Sequence, residues 1–359
     1  MHKYRLLREA VQANLPAIRI VEAPAASDGE LALAHAPGYV RRVVEGRLDP
    51  AQQREIGFPW SAEMVERARR SVGATIAAAR TALVEGVAAN LAGGTHHASA
   101  ERGSGYCVFN DAAVAARLMQ AEWRRSRSDV LRVAIIDLDV HQGNGSAAIF
   151  RGDETVFTLS IHAERNFPFR KEASDLDVAL PDGCGDDDYL AALDLALAAL
   201  WQRHAGAAPG LILYLAGADP HAGDRLGRLA LSHAGLAERD RRVFAAARER
   251  RIALAVAMAG GYGREINDTV TAQLATLGLA REIATTVGGF SAALALARAS
   301  DLVATVPERH TGDLRAGMHG FALPFAVPEL TISMLWHPRV HADPVHRWLR
   351  ACVREVCAA

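Results

Sequence analysis

Residues 131–145 read LRVAIIDLDVHQGNG, the most informative stretch of the chain. A largely apolar run at 131–136 leads directly into Asp137, Asp139 and His141, which alternate along the chain. Side chains two residues apart point to the same face of an extended backbone, so both carboxylates and the imidazole can converge just beyond a strand end. Open α/β sheets place their functional sites at that edge. Taken alone, these residues also fit an aspartate that caps a turn and a histidine satisfied by backbone groups.

The bulk composition is that of a soluble globular protein. The chain has 359 residues, 50% hydrophobic and 23% charged, which disfavours disorder and a fibrous architecture. Its 40 basic residues are balanced by 41 acidic ones, so no positive field favours nucleic acid as a partner. Four cysteines are scattered without disulfide or metal-binding spacing, as expected of a reducing compartment. Because neither a signal peptide nor a membrane span is visible, we predict a cytoplasmic protein without a membrane partner.

Strand-like apolar runs alternate with alanine-rich helical stretches. The runs lie at 131–136, 155–159, 211–215 and 252–257. Nearly continuous apolar character is typical of parallel strands that are covered on both faces. Helices are predicted at 61–80, with Ser61 as the N-cap, and at 191–203. The alternation predicts an α/β fold with three layers, in which helices cover both faces of an open and mostly parallel sheet.

Residues that can bind a metal or take part in catalysis follow these runs. After 211–215 comes AGADPHAGD, which contains Asp219, and after 252–257 comes AGGYGRE, which contains Tyr262. Because the carboxyl ends of parallel strands meet at one edge of a sheet, we expect these side chains to lie beside those of the DLDVHQGNG motif. A chance occurrence of these side chains after three separate strand-like runs is then the weaker interpretation.

A glycine-rich loop, GGTHHASAERGSGYCVFND at 93–111, carries two adjacent histidines, His96 and His97. Histidine accepts and donates protons near neutral pH, which suits general acid and base catalysis. Neighbouring histidines in a loop are more often surface residues than catalysts. The surrounding glycines favour the catalytic interpretation, because they let the backbone approach a ligand closely.

In this order the motifs resemble those of the metal-dependent histone deacetylases and their bacterial relatives, which share an arginase-like α/β fold. The residues that carry the resemblance are His96, His97, Asp139, His141, Asp219 and Tyr262 after two glycines. The resemblance runs from about Lys3 to about Leu279. GFPWS at 57–61 and the two aspartate motifs are most similar to class IV and its bacterial cousins. Family members carry a further strand before the phrase KYRLLRE at 3–9, so we expect an edge element to be missing.

The resemblance implies a catalytic metal centre. Asp139, His141 and Asp219 correspond to the metal ligands, and two carboxylates with one imidazole leave a coordination position open, as in catalytic zinc sites. The metal is expected to be Zn2+, and this ligand set also accepts Fe2+ or cobalt. A structural monovalent cation, K+, is implied at Asp137, Asp139, His141, Ser160 and Ile161.

The resemblance also implies the catalytic roles. Tyr262 would donate a hydrogen bond to the oxyanion that develops on the substrate amide. His97 would be the general base and acid, and His96, oriented by Asp137, its electrostatic partner. Where the family often pairs the second histidine with an aspartate, this chain has Asn144, which carries no charge. We therefore expect a lower pKa for His97 than an aspartate partner would give.

The substrate implied by the family is an acylated lysine or a related acylated amine, which is hydrolysed to a free amine and a carboxylate, usually acetate. Tyr106 and Phe167 resemble aromatic residues of the channel walls, and Gly105 and Gly261 are further candidates for substrate contact. Both aromatic residues also fit an ordinary place in the core. The sequence leaves open the acyl chain length, the native metal and the oligomeric state.

Beyond about Arg281 the chain resembles the last portion of the effector-binding domain of LysR-type regulators. The phrases that carry this resemblance are SDLVATVP, PFAVP, SMLWHPR and DPVHRWLR. No winged helix-turn-helix accompanies them, so DNA binding is not implied. We predict a catalytic domain at 1–280 and, at 281–359, a small α+β fragment of that LysR-type domain or a divergent extension of the deacetylase.

Three other functions remain open at this point. A dinuclear manganese ureohydrolase of the same fold needs more bridging carboxylates, and His221 stands where one of them would be expected. An amidohydrolase acting on acylated polyamines or other small molecules would use the same residues. A non-catalytic regulatory fusion would use the first part as a binding module and the tail as a ligand sensor.

Overall fold

The computed structural model describes residues 2–14, 18–277, 290–299, 306, 311–319 and 343–358. The chain divides into two compact units, Met1–Gly320 and Phe321–Ala359. The predicted domain boundary at residue 280 lies outside the described residues and stays a prediction.

Six strands, twelve α-helices and a 3-10 helix at Asp313–Arg315 form the described structure. The strands are β1 (Val87–Asn90), β2 (Val133–Asp137), β3 (Val156–Ala163), β4 (Leu176–Leu180), β5 (Leu211–Leu215) and β6 (Ala253–Ala257). The helices are α1 (His2–Asn14), α2 (Asp28–Leu31), α3 (Pro37–Val44), α4 (Pro50–Ile56), α5 (Ala62–Glu85), α6 (Asp111–Ser126), α7 (Asn144–Ile149), α8 (Asp186–Arg203), α9 (His233–Glu249), α10 (Ile266–Thr276), α11 (Phe290–Arg298) and α12 (Pro344–Ala358).

The strands form one open sheet in the order β1-β6-β5-β2-β3-β4, and every pairing in it is parallel. The predicted fold class is therefore confirmed. From β2 the chain moves outward to β3 and β4, and it then returns to the other side of β2 with β5. The order of strands thus reverses between β2 and β5, which is where sheets of this kind form a crevice at their carboxyl edge.

Alternate residues of each strand pack into two separate cores. In β2, which is buried throughout, Val133 and Ile135 belong to the core with α5 and α6. Ala134 and Ile136 point the other way, into the core with α8 and α9. Burial on both faces explains why the strands read as continuous apolar runs, and it gives the three predicted layers.

Helix ends follow from local chemistry. The Ser61 side chain accepts a hydrogen bond from the Met64 amide at 3.1 Å, so α5 begins where the sequence predicted. It continues past residue 80 because neither glycine nor proline occurs between Arg80 and Gly86, whose φ of 92° ends the helix. α8 begins before residue 191, since aspartates at 186–188 favour a helix amino terminus.

The ends of the chain contribute helices. Leu7 and Val11 of α1 are buried in the same core as α8 and α9, and no described residue tests the expectation of a missing edge strand. Of the tail phrases, DPVHRWLR coincides with the start of α12, and the other three lie outside the described residues apart from Val306. None of the described helices has both the length and the apolar character needed to cross a bilayer.

Candidate active site

The three predicted metal ligands lie together at the carboxyl edge of the sheet. Asp139 and His141 follow β2, and Asp219 follows the neighbouring strand β5. One ligand atom of each residue lies within 4.8 Å of those of the other two. Both aspartates are buried, whereas His141 is partly exposed, so the cluster is approached from the side of the histidine. This is the crevice at the reversal of strand order.

Backbone amides orient the two carboxylates. The Val140 amide donates to Oδ1 of Asp219 at 3.0 Å, and the Gly260 amide donates to Oδ2 of Asp139 at 3.0 Å. A side chain at position 260 would collide with both carboxylates. Gly260 therefore permits a close approach that no other residue would allow.

The cluster fits a metal ion. Oδ2 of Asp219 is buried, and its only polar contact among the described residues is a long one of 3.5 Å with Nδ1 of His141, so a bound cation would compensate its charge better than the protein does alone. Burial alone would lower the pKa of His141, but hydrogen bonds and charges of Asp139 and Asp219 overcome this effect and raise it to about 10. The pocket thus favours positive charge. Two carboxylates and one imidazole are the donor set of a catalytic zinc site.

The two histidines stand beside this cluster, with ring centroids 4.2 Å apart. Nδ1 of His96 lies 2.5 Å from Oδ2 of Asp137, and Nδ1 of His97 lies 2.7 Å from Oδ1 of Asn144. Burial opposes a charge on His96, but the carboxylates of Asp137 and Asp139 prevail and raise its pKa to about 9. For His97, burial and the charges of the neighbouring histidines hold the pKa well below its usual value.

Two residues that the sequence analysis missed hold the histidine loop. Asp111 accepts a hydrogen bond from the Gly94 amide at 2.9 Å. Asn110 donates to the carbonyl oxygens of His96 at 3.3 Å and Ala98 at 3.0 Å. Both lie at the start of α6, and Asn110 is its N-cap. The one signal in the sequence is the Asn-Asp pair before an apolar helix, which predicts capping and not support of a distant loop.

The loop of Tyr262 is fixed from two sides. Its backbone amide donates to Oδ2 of Asp224 at 2.5 Å. The ammonium of Lys3 donates to the carbonyl oxygens of Ala259 at 3.2 Å and Gly261 at 3.1 Å, and it lies 5.1 Å from the centroid of the Tyr262 ring. Burial raises the pKa of Tyr262, so its hydroxyl stays protonated and able to donate. The sequence analysis missed Lys3 and Asp224.

Of the four residues proposed for substrate contact, Phe167 and Gly105 lie against His97. The ring of Phe167 meets that of His97 edge-on, with centroids 4.9 Å apart. An added Cβ on Gly105 would lie 2.6 Å from Cδ2 of His97 and 2.8 Å from Cε1 of Phe167, so this glycine leaves no room for a side chain. Tyr106 has half of its surface exposed and packs on Phe58, which does not fit a core aromatic. Gly261, with a φ of 135°, is buried, and an added Cβ there would meet Thr269 and Ala218.

Of the five residues predicted to hold a monovalent cation, Asp137, Asp139 and His141 lie at or just beyond the end of β2, and Ser160 and Ile161 lie on the neighbouring strand β3. Ser160 is in register with Asp137 across β2 and β3, and Ile161 follows it. Both are buried, and the Ser160 hydroxyl forms a hydrogen bond of 3.0 Å with Nδ1 of His162. The K+ site stays a prediction.

Comparison with known proteins identifies the family. The family model of the histone deacetylase domain matches residues 1–277. The chain belongs to the histone deacetylase family. This membership confirms the predicted family and enzyme class.

Relatives cover much of the same region. An uncharacterized protein of Picosynechococcus is 47% identical over 67% of this chain and 77% of that protein. Histone deacetylase 2 of Arabidopsis thaliana is 40% identical over 54% of this chain, and the match spans 49% of the plant protein.

Solved structures show the same architecture. An HDAC homolog from Aquifex aeolicus superimposes with a TM-score of 0.63 over 76% of this chain and 75% of its own, at 24% identity. An HDAC homolog in complex with SAHA gives a TM-score of 0.62 at 26% identity, over the same shares of the two chains. These likenesses support the arginase-like, three-layer fold.

The predicted similarity of the tail is also confirmed. The family model of the LysR substrate binding domain matches residues 224–358, so the match begins well before residue 281. The overlap at 224–277 forms α9, β6 and α10, and β6 is part of the parallel sheet. A helix–strand–helix pattern with an apolar strand is common to many α/β folds, which explains how one segment matches both families.

Proposed function

We propose that the chain is a metal-dependent deacylase that hydrolyses the amide bond of acetyl-lysine or of a related acylated amine. The observation that carries this proposal is the cluster of Asp139, His141 and Asp219, in which the buried Oδ2 of Asp219 has, within the described part of the chain, only a long contact of 3.5 Å with Nδ1 of His141. The ligand set favours Zn2+, with Fe2+ or cobalt as alternatives. The name of the Arabidopsis relative, a histone deacetylase, supports the same reaction.

A divalent cation held by these three side chains would polarise the amide carbonyl and acidify water beside it. The protein supplies the proton transfers. Because Oδ1 of Asn144 can only accept, Nδ1 of His97 carries a hydrogen and Nε2 keeps its lone pair. His97 accepts the proton of the attacking water at Nε2 and then delivers it to the departing amine. His96, which Asp137 keeps charged, stabilises negative charge next to it.

Tyr262 completes the site as the donor to the oxyanion. Asp224 and Lys3 already hold the backbone of its loop, so the backbone that carries the hydroxyl needs no reorganisation when negative charge develops on the substrate oxygen. A preorganised donor of this kind typically contributes about 3–4 kcal/mol to transition-state stabilisation.

The substrate class follows from the space beside His97. Phe167 and the half-exposed Tyr106 provide aromatic surfaces for a narrow aliphatic stem, and a side chain at Gly105 would displace the rings of His97 and Phe167. A linear acyl-lysine satisfies this shape, and an acylated polyamine offers the same amide on a similar stem. A structural K+ at Asp137, Asp139, His141, Ser160 and Ile161 is part of the proposal.

The experiment is hydrolysis of fluorogenic acyl-lysine peptides by the full-length protein. Acetyl and longer acyl groups are compared with an acetylated polyamine, before and after chelation and after readdition of Zn2+. Tyr262→Phe serves as the control that keeps the metal ligands. We expect turnover that is lost on chelation, restored by Zn2+ and strongly reduced in the variant.

Two outcomes would contradict the proposal. Turnover that is indifferent to chelation would rule out metal dependence. Failure to hydrolyse any acylated amine, by protein that carries stoichiometric metal, would rule out the deacylase activity and favour the non-catalytic interpretation.

A further inference from the structure

Arg239 is a buried arginine that the proposed reaction does not use. It belongs to α9 and exposes only 1% of its surface. Arginine is almost never fully buried unless its charge is paired and its donors are used. The groups that accept hydrogen bonds from Arg239 therefore indicate which parts of the protein it holds together.

One nitrogen of Arg239 connects the two segments that carry the metal-ligand aspartates. Nη1 donates to the carbonyl oxygen of Gly217 at 2.7 Å and to that of Leu138 at 3.2 Å. Leu138 directly precedes Asp139 beyond β2, and Gly217 lies two residues before Asp219 beyond β5. The guanidinium thus bridges neighbouring strand ends at the reversal of strand order.

The carboxylate of Asp240 holds the guanidinium of Arg239 in place. Nε of Arg239 donates to Oδ1 of Asp240 at 2.7 Å. The same carboxylate accepts hydrogen bonds from the hydroxyl of Tyr214 and, at 2.6 Å, from that of Thr276. Because the whole network is buried and hydrogen-bonded, Nη1 has little freedom to move.

The backbone that Arg239 holds passes directly between the ligand carboxylates. A Cβ on Gly217 would lie 2.8 Å from Oδ2 of Asp139 and 2.8 Å from Oδ1 of Asp219. A shift of this backbone would therefore displace one or both aspartates. Metal sites tolerate deviations of only about 0.2 Å in ligand distance, so such a shift would weaken binding.

We propose that Arg239 is a positioning residue for the metal: by bridging Leu138 and Gly217, it sets the spacing of Asp139 and Asp219 and thereby the affinity for a divalent cation. This inference rests on the proposed function only for the presence of that cation, and it is independent of the acyl substrate. Partners that orient metal ligands from outside the cluster contribute about 10–100-fold to affinity.

The test is the dissociation constant for Zn2+, measured on the full-length protein by competition with a chromogenic chelator. Arg239→Lys keeps the charge opposite Asp240 but lacks the planar fork that reaches two carbonyl groups and a carboxylate together. Arg239→Met removes the donors altogether. Arg242→Met is the matched control, because Arg242 lies on the same helix and binds Asp194 away from the site. Circular dichroism establishes that each variant is folded.

We expect the dissociation constant to rise about 10–100-fold in Arg239→Lys and further in Arg239→Met, with a change below about twofold in Arg242→Met. If Arg239→Met does not fold, Arg239→Lys decides the matter. A folded Arg239→Lys variant with the affinity of the wild type would overturn the proposal. Absence of Zn2+ binding by the wild type would instead overturn the proposed function, whereas tight binding without turnover would contradict the deacylase activity alone.

Discussion

His97 is hydrogen-bonded to the uncharged amide of Asn144, with Nδ1 2.7 Å from Oδ1. Its neighbour His96 is paired with the carboxylate of Asp137 at 2.5 Å. The two partners produce opposite effects: burial and nearby positive charge keep the pKa of His97 well below normal, whereas carboxylates raise that of His96 to about 9 against the effect of burial. At neutral pH one ring is therefore a free base and the other a cation, which gives adjacent histidines different roles.

Asn144→Asp should move the acid limb of the pH–rate profile to higher pH. A carboxylate at this position stabilises the protonated form of His97 and raises its pKa, so the base form is lost sooner as the pH falls. We expect about a tenfold loss of kcat/KM on the acid side, the effect of a shift of one unit.

Asn144→Ala is the control for this variant, because it removes the hydrogen bond without adding charge. It should lower the rate at every pH and leave the acid limb where it is or move it to lower pH. An acid limb in Asn144→Asp that coincides with that of the wild type would contradict the role of His97 as the base.

The sequence predicts the strand ends and the ligand cluster because both depend on local patterns. Asp139 and His141 lie two residues apart in the bend directly after β2, where the His141 amide donates to Oδ1 of Asp139 at 2.9 Å, and the apolar run before Asp219 makes β5 a buried parallel strand. Parallel pairing then brings the motifs together at one edge. The lengths of α5 and α8 were less well predicted, because the end of a helix depends on its capping residues.

The residues that hold the loops of the site in place could not be predicted in this way. Lys3 binds a loop more than 250 positions away, and Arg239 bonds to a carbonyl group 101 positions before it. Such bonds depend on the packing of α1 and α9 against the sheet. A lysine or arginine within an amphipathic helix reads as an ordinary surface residue, so its sequence context carries no signal of the role.

Tyr262→Phe should reduce kcat by a factor of about 10²–10³, with little change in KM or metal content. The ring and the backbone bond to Asp224 remain, so only the hydroxyl that reaches the substrate is lost. Steady-state kinetics with an acetyl-lysine peptide, together with metal analysis of the same samples, checks this. A rate within threefold of the wild type would mean that another group stabilises the oxyanion.

Metal removal should destabilise the wild type, and Asp219→Asn should abolish that dependence. Saturation at 100 times the dissociation constant stabilises a folded protein by about 2.7 kcal/mol, which corresponds to roughly 5 °C for a domain of this size. The amide removes the negative charge from the side chain of Asp219, whose Oδ2 has only a long contact with His141. Thermal unfolding with Zn2+ and with a chelator measures both effects, and a metal-dependent shift that persists in the variant would exclude Asp219 as a ligand.

Gly105→Ala should reduce kcat/KM at least tenfold, because the new Cβ would lie within 3 Å of the rings of His97 and Phe167. Gly152→Ala is the matched control, since Gly152 also has a positive φ but no atom within 4 Å of an added Cβ. Both variants should lose about 1–2 kcal/mol of folding free energy from backbone strain. Equal activity in the two variants would show that the space beside His97 is not used by the substrate.

Lys3→Met should lower kcat by about 10–100-fold, whereas Lys3→Arg should retain most of the activity. The ammonium of Lys3 supplies the hydrogen bonds to Ala259 and Gly261 that hold the loop before Tyr262, and methionine keeps the volume without a donor. A misplacement of the Tyr262 hydroxyl by about 1 Å is enough for a loss of this size.

Because Lys3 does not contact the metal ligands directly, the affinity for Zn2+ should change little in either variant. Steady-state kinetics and chelator competition on the same preparations separate the two effects. Equal losses in kcat and metal affinity would instead indicate that α1 supports the whole edge of the sheet.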